Sequence, residues 1–108
     1  MDINSEIEKL IKENDVCLFM KGSAETPQCG FSMTVTNILK YLKIHFKDVN
    51  VLEDDKMREG IKIFSDWPTI PQLYIKKEFI GGCDIIKEMY ESGELKKTFE
   101  DKGISFKK

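Results

Sequence analysis

One cysteine in this sequence lies where a thiol can become reactive. Cys29 follows a loop that contains Gly22 and Pro27, and it directly precedes a stretch with helical periodicity. A thiolate at the start of a helix faces unpaired backbone N–H groups and the positive end of the helix dipole, and both favour the charged form. Cys29 is therefore the candidate reactive thiol. A small buried cysteine used only to fill the core is the alternative interpretation.

The other cysteines do not complete a dithiol motif. Ser32 stands where a dithiol enzyme would carry its second cysteine, and its hydroxyl can donate to a Cys29 thiolate but cannot resolve a mixed disulfide. Cys17 lies in the middle of an apolar run, so we expect it to be inert core. Three cysteines without a C-x-x-C pair disfavour a secreted disulfide scaffold and favour a reducing compartment.

A second motif precedes a predicted strand and contains two prolines, Trp67-Pro68-Thr69-Ile70-Pro71. We predict a cis peptide bond at Ile70-Pro71 and a trans bond at Trp67-Pro68. A cis bond would turn the backbone N–H and C=O of Ile70 outward, where an extended peptide could pair with them. The alternative is an ordinary turn with Trp67 in the core.

A third motif, Gly81-Gly82-Cys83-Asp84, places two glycines directly before a predicted helix. Glycines allow a ligand to approach closely, and the amides at a helix start bind carboxylates. Asp84 would supply a negative partner for an ammonium group. A plain helix cap would have the same sequence. Cys83 is also a candidate for a disulfide with Cys29 in an oxidised off-state, if their Cα atoms lie within about 7 Å.

The elements that must position these motifs follow from hydrophobic periodicity and breakers. An S-x-x-E capping box beginning at Ser5 indicates the first helix. We predict helices near 3–13, 30–42, 56–65, 83–91 and 93–102, and strands near 16–20, 44–52, 72–75 and 78–80. The first β-α-β unit should be parallel, and the hairpin should add two antiparallel strands. This order predicts an α/β, thioredoxin-like fold with a four-stranded mixed sheet flanked by helices on both faces.

Length and charge exclude several classes of protein. The 108 residues predict a single domain over 1–108, and 17 basic against 19 acidic residues disfavour a large nucleic-acid surface. The longest apolar run, Val16 to Met20, is far shorter than the roughly 20 residues of a membrane helix, so we expect no membrane association. The terminal Lys107-Lys108 should form a solvated tail.

Taken together, the motifs resemble those of the monothiol glutaredoxins of the CGFS type, over about residues 5 to 104. The resemblance is carried by Lys21-Gly22, Pro27, Cys29-Gly30-Phe31-Ser32, Trp67-Pro68-Thr69-Ile70-Pro71-Gln72 and Gly81-Gly82-Cys83-Asp84. There are two departures. Ser23-Ala24 stands where the family usually has Thr-Pro, which affects the stiffness of the loop, and Lys76-Lys77 occupies the hairpin turn.

The resemblance implies a glutathione site. Lys21 and Arg58 would hold the glycine carboxylate of glutathione, and the backbone of Ile70 would pair with its cysteinyl unit. Cys83 and Asp84 would bind the γ-glutamyl end. Two cations, a helix start and one aspartate complement the two carboxylates and one ammonium of glutathione.

The resemblance leaves two functions open. The first is a carrier in which two protomers and two glutathiones hold a [2Fe–2S] cluster, with Cys29 as each protomer's metal ligand. This implies a monomer without cluster, a homodimer with it, apo iron–sulfur acceptor proteins, and BolA-type proteins as candidate partners. The alternative is a glutathione-dependent thiol-disulfide oxidoreductase with Cys29 as the catalytic thiol. The expected compartment is the cytoplasm, the mitochondrial matrix or a plastid.

Overall fold

Within residues 2–106, which the computed structural model describes, five α-helices and four β-strands follow one another in the predicted order. The predicted tail at Lys107-Lys108 lies outside this range. The elements are α1 (Ile3–Glu13), β1 (Val16–Met20), α2 (Gly30–Tyr41), β2 (Lys47–Asn50), α3 (Asp55–Ser65), β3 (Gln72–Ile75), β4 (Glu78–Gly81), α4 (Cys83–Ser92) and α5 (Glu94–Asp101), with a short 3-10 helix (Val51–Glu53) between β2 and α3.

The four strands form one mixed sheet in the order β2-β1-β3-β4. β1 and β2 are parallel, whereas β3 is antiparallel to both β1 and β4. This confirms the predicted thioredoxin-like α/β fold with its parallel β-α-β unit and its hairpin. None of the helices between residues 2 and 106 is long and apolar enough to cross a membrane.

Alternating side chains of β1 divide the core into two layers. Leu18 and Met20 face one side of the sheet, where they pack with residues of α2, α4 and α5 such as Leu39 and Ile86. Cys17 and Phe19 face the other side, against residues of α1 and α3. Since β1 is central and both its faces are covered, a continuous apolar run is the pattern expected for it.

The predicted bounds of α1 are confirmed, and the structure corrects its capping residue and the limits of one strand. The capping box at Ser5 does not start α1, because the Asp2 carboxylate caps the helix by accepting from the Ser5 N–H at 2.8 Å. The strand predicted over 44–52 is confined to Lys47–Asn50. The N–H of Ile44 still bonds to Leu39 O at the end of α2, and the segment from Val51 onward turns into the 3-10 helix.

The hairpin turn at Lys76-Lys77 has positive φ at both central residues, 49° and 72°, as a type I′ turn requires. Lysine is not favoured in this conformation, but Asp15 stabilises the turn from outside. The Lys76 N–H donates to Asp15 O at 2.7 Å, and its ammonium lies 3.3 Å from the Asp15 carboxylate. The turn thus forms without a glycine, and β4 pairs with β3 from Ile75 and Glu78 onward, with one register shift between Leu73 and Tyr74.

Candidate functional site

Cys29 is the N-cap residue of α2, with an extended backbone conformation and a half-buried side chain. Partial burial alone would raise the pKa of its thiol. The backbone N–H groups of Ser32 and Phe31 oppose this by hydrogen bonding to the thiolate, followed by the positive charge of Lys21. Together they hold the pKa of Cys29 below its ordinary value, which increases its thiolate fraction relative to an ordinary cysteine.

Ser32 connects the reactive thiol to the preceding loop. It is fully buried, and its hydroxyl oxygen accepts from the Lys21 N–H at 3.1 Å. The hydroxyl proton then remains available to Cys29, whose pKa the Ser32 side chain also lowers. Ser32 therefore links the backbone of Lys21, where the loop begins, to the start of α2.

The proline-rich segment adopts the predicted backbone. Ile70-Pro71 is the cis bond among residues 2–106, so Trp67-Pro68 is trans, as expected. Gln72, the next residue, is fully buried, and its carboxamide nitrogen donates to Trp67 O at 3.1 Å and Thr69 O at 3.2 Å. One side chain thus anchors the segment that enters β3.

The third motif brings the start of α4 against this segment. Gly82 is the N-cap of α4, and a Cβ atom on it would lie 3.2 Å from the Pro71 carbonyl oxygen. A side chain at this position would therefore push α4 away from the proline segment. Asp84 lies exposed in the first helical turn. Burial, and then the neighbouring Asp84 charge, raise the pKa of Cys83, so this thiol stays protonated more readily than Cys29.

These segments enclose a cavity of about 360 Å³, within the roughly 300–1,000 Å³ of small-molecule sites. Four of the residues predicted to bind a cofactor line it: Lys21, Ile70, Cys83 and Asp84. Phe31 lines it from the start of α2, the helix that Cys29 caps. The structure thus brings three separate motifs of the sequence to one place.

Arg58 is placed differently from the expectation. It is half-buried on α3 and is not among the cavity's lining residues, and its Nε atom is buried without a hydrogen-bond partner. Lys62, one helical turn further on, lines the cavity instead. The sequence contained a signal for Lys62, since residues four apart share one face of a helix.

The three cysteines occupy three different environments, and all are free thiols. Cys17 is fully buried in the core, where loss of solvation raises its pKa to about 12. This agrees with the inert role expected for it. Cys83 lies near enough to Cys29 for the Cys29 charge to raise its pKa further. A disulfide between these two stays a prediction for the oxidised protein.

Comparison with known proteins identifies the family. The glutaredoxin family model matches residues 16–80. The chain is 58% identical over 95 residues to the probable monothiol glutaredoxin 2 of Rickettsia typhi, covering 88% of this chain and 86% of that protein. It is 54% identical over 98 residues to the mitochondrial monothiol glutaredoxin-5 of Lachancea kluyveri, covering 88% and 68%.

A solved structure agrees with these sequence matches. The solution structure of reduced apo GrxS14 from poplar superposes with a TM-score of 0.82 at 50% identity, covering 93% of this chain and 92% of that one. The family model spans more than half of the sequence, and the relatives exceed half identity over most of it. The chain therefore belongs to the glutaredoxin family, in its monothiol branch.

Proposed function

We propose that this protein binds glutathione beside Cys29 and, as a glutathione-bridged dimer, carries a [2Fe–2S] cluster to apo iron–sulfur proteins. One observation carries the proposal: Cys29 is a half-exposed thiol with a lowered pKa, next to a cavity lined by two lysines and an aspartate at a helix start. Thiolates are the usual ligands of such clusters.

The charges of the cavity fit glutathione. Lys21 and Lys62 would hold the glycine carboxylate. Arg58 lies one helical turn before Lys62, on the same face of α3. The amides at the start of α4 would take the γ-glutamyl carboxylate, and Asp84 would take the ammonium group. The backbone of Ile70, beside the cis peptide bond, would pair with the cysteinyl unit.

Ligand supply supports a shared cluster. A [2Fe–2S] cluster needs four ligands, usually thiolates. Between residues 2 and 106, no group of three or more His, Cys, Asp or Glu side chains lies close enough to hold a metal ion. Cys17 is buried and Cys83 faces the glutathione cavity. Two copies of Cys29 and two glutathione thiols would complete the set.

The proposed partners follow from this role. They are glutathione, apo iron–sulfur proteins that accept the cluster, and BolA-type proteins. A reduced Cys29 is required for each of them, so we propose a reducing compartment: the cytoplasm, the mitochondrial matrix or a plastid.

Anaerobic reconstitution tests the carrier function. The protein is incubated with iron, sulfide and glutathione, and cluster formation is followed by visible absorbance. We expect cluster formation for the wild type and none for Cys29→Ser. Cys17→Ala is the matched control, because alanine leaves no unpaired hydroxyl at this fully buried position. Cluster formation by Cys29→Ser, or without glutathione, would contradict the proposal.

A second candidate function is the reduction of glutathione mixed disulfides, and the lowered pKa of Cys29 favours it. The Cys29 thiolate attacks the glutathione sulfur of a mixed disulfide, forms a Cys29–glutathione disulfide and releases the other thiol. A second glutathione thiolate then attacks this disulfide, which releases oxidised glutathione and restores the Cys29 thiolate. A second glutathione must resolve the Cys29–glutathione disulfide, because Ser32 carries no thiol that could do so.

Turnover of a small mixed disulfide between glutathione and 2-mercaptoethanol separates the two functions. Rapid turnover, together with no cluster binding, would assign the oxidoreductase function. Slow turnover together with a glutathione-dependent cluster supports the carrier.

A further inference from the structure

The loop of residues 21–28, which joins β1 to α2, is held at its middle by two charged side chains. The Ala24 N–H donates to the Asp48 carboxylate of β2 at 2.8 Å. The Ala24 carbonyl oxygen accepts from the ammonium group of Lys40, near the end of α2, at 2.6 Å. Both backbone polar groups of one loop residue are thus bonded to side chains of opposite charge. We call this arrangement the Ala24 clamp.

The clamp is the outer part of a larger set of bonds. At the base of the loop, Lys21 O accepts from the Gln28 N–H at 2.9 Å. Asn50, two residues after Asp48 on β2, accepts from the Gly22 N–H at 2.9 Å. Two residues of β2 therefore fix the first half of the loop. The outer half also has hydrogen bonds between Ser23 and Thr26, and the charge-assisted bonds of Asp48 and Lys40 join this half to β2 and α2.

The identity of residue 24 makes the clamp possible. Residue 24 is alanine, whose backbone N–H is the donor to Asp48. A proline restrains φ covalently but has no N–H, so it could not donate to Asp48. Alanine lacks the covalent restraint and supplies the donor. The loop is thus restrained by the side chains of Asp48 and Lys40, which lie outside it.

We propose that Asp48 and Lys40 are positioning residues that hold Lys21 and Cys29 in their reactive arrangement by clamping Ala24. Lys21 is the first residue of the clamped loop, and Cys29 directly follows its last. If the loop moves, the Lys21 ammonium group no longer stays near the thiolate that it stabilises. The proposal deepens the proposed function, because it names the residues that prepare Cys29, but it requires neither glutathione nor a cluster.

The test measures the rate constant for alkylation of Cys29 by iodoacetamide at pH 7, without glutathione, with mass mapping of the labelled site. We expect Asp48→Ala to lower the rate about threefold, because the loop loses its charge-assisted hydrogen bond and no longer keeps Lys21 in place beside the thiol. Asp48→Asn keeps an acceptor oxygen and should lose less. Glu53→Ala, an exposed acidic residue in the adjacent 3-10 helix, is the control and should not change the rate.

A double-mutant cycle separates positioning from general destabilisation. Ala24→Pro removes the N–H that donates to Asp48 and adds a covalent restraint on the φ angle of residue 24. In the Ala24→Pro background, Asp48→Ala should change the alkylation rate less than twofold. The proposal is overturned if Asp48→Ala leaves the rate of the otherwise unaltered protein unchanged or raises it, or if its effect is equally large in the Ala24→Pro background.

The outcome of the double-mutant cycle does not depend on whether the protein carries a cluster. A protein that forms no cluster can still show the Asp48 effect, and a protein that forms one can lack it. Circular dichroism and the free energy of unfolding of each variant identify any variant that fails to fold. If Asp48→Ala fails, Lys40→Met replaces it, because it removes the other half of the clamp, the bond to the Ala24 carbonyl oxygen, and it should also lower the alkylation rate.

Discussion

At the scale of single residues, the environment assigns different chemistry to three identical side chains. Burial raises the pKa of Cys17 to about 12, and burial with a neighbouring carboxylate raises that of Cys83. Only for Cys29 do helix-start amides and a lysine outweigh the cost of partial burial, so its pKa falls. Reactivity therefore follows from position in the fold.

This difference predicts selective labelling. Burial raises the pKa of Cys17 to about 12, whereas that of Cys29 lies below its ordinary value, so the thiolate fraction at pH 7 is far larger at Cys29. Brief alkylation at pH 7 followed by mass mapping should label Cys29 well before Cys17. The rate at Cys29 should rise with pH as its thiolate forms, with a midpoint below that of an ordinary cysteine thiol. Preferential labelling of Cys17 would contradict the structure.

A second residue-scale prediction concerns the cations of the cavity. Lys62→Met should weaken glutathione binding about fivefold, because it removes one charge-assisted contact to a carboxylate. Lys56→Met, on the same helix but exposed and outside the cavity lining, should have no effect. Isothermal titration with glutathione measures both. If Arg58→Met weakens binding more than Lys62→Met does, the guanidinium is the main carboxylate ligand instead.

At the scale of elements, the site exists because three chain segments converge at one end of the sheet. The start of α2 supplies Cys29, the cis-proline segment supplies Ile70, and the start of α4 supplies Asp84. Gly82 allows α4 to approach the cis-proline segment. The side chain of Gln72 holds that segment by two hydrogen bonds. The site therefore depends on residues that never contact a ligand.

The role of Gln72 is testable by removing its two donors while keeping its volume. Gln72→Met should lower the free energy of unfolding by about 2 kcal/mol, because two hydrogen bonds from a fully buried carboxamide are lost. Urea denaturation measures this. Gln28→Met is the matched control, since Gln28 is exposed and its side chain bonds only to Thr26 nearby. Equal stability of both variants would show that Gln72 does not hold the segment.

At the scale of the whole molecule, the sheet separates two apolar layers and leaves the thiol at the surface. The central strand β1 contributes side chains to both layers. One layer lies between the sheet and α2, α4 and α5, and the other lies between the sheet and α1 and α3. The core fills both faces of the sheet, and Cys29 stays partly exposed at the start of α2, where a second copy could reach it. Assembly can then depend on the ligands that join the two thiols.

Assembly should therefore follow the cluster. We expect a monomer without cluster and a homodimer with it, because one accessible thiolate per chain cannot complete four ligands. Sedimentation velocity before and after anaerobic loading measures this, and an iron chelator should return the monomer. Cys29→Ser should stay monomeric under loading conditions. A loaded species with the mass of one chain would contradict the bridged arrangement.

Local patterns in the sequence determined most of the elements, the reactive cysteine and the motifs. Helix periodicity, the apolar run of β1 and the prolines before β3 act over a few residues, so their consequences can be predicted without a fold. The cis bond at Ile70-Pro71 was predicted in the same way and is confirmed. The cap of α1 and the limits of β2 were wrong, because boundaries depend on hydrogen bonds that several residues can supply.

Only the tertiary structure decided which distant side chains meet. Lys62 rather than Arg58 lines the cavity because the packing of α3 on α1 sets the rotation of that helix about its axis. The contacts of Gln72 with the proline segment and of Asp48 with Ala24 join residues whose pairing follows no local pattern. A sequence states which donors and acceptors exist. Their partners are set by how the strands and helices pack, because hydrogen bonds form only within about 3.5 Å.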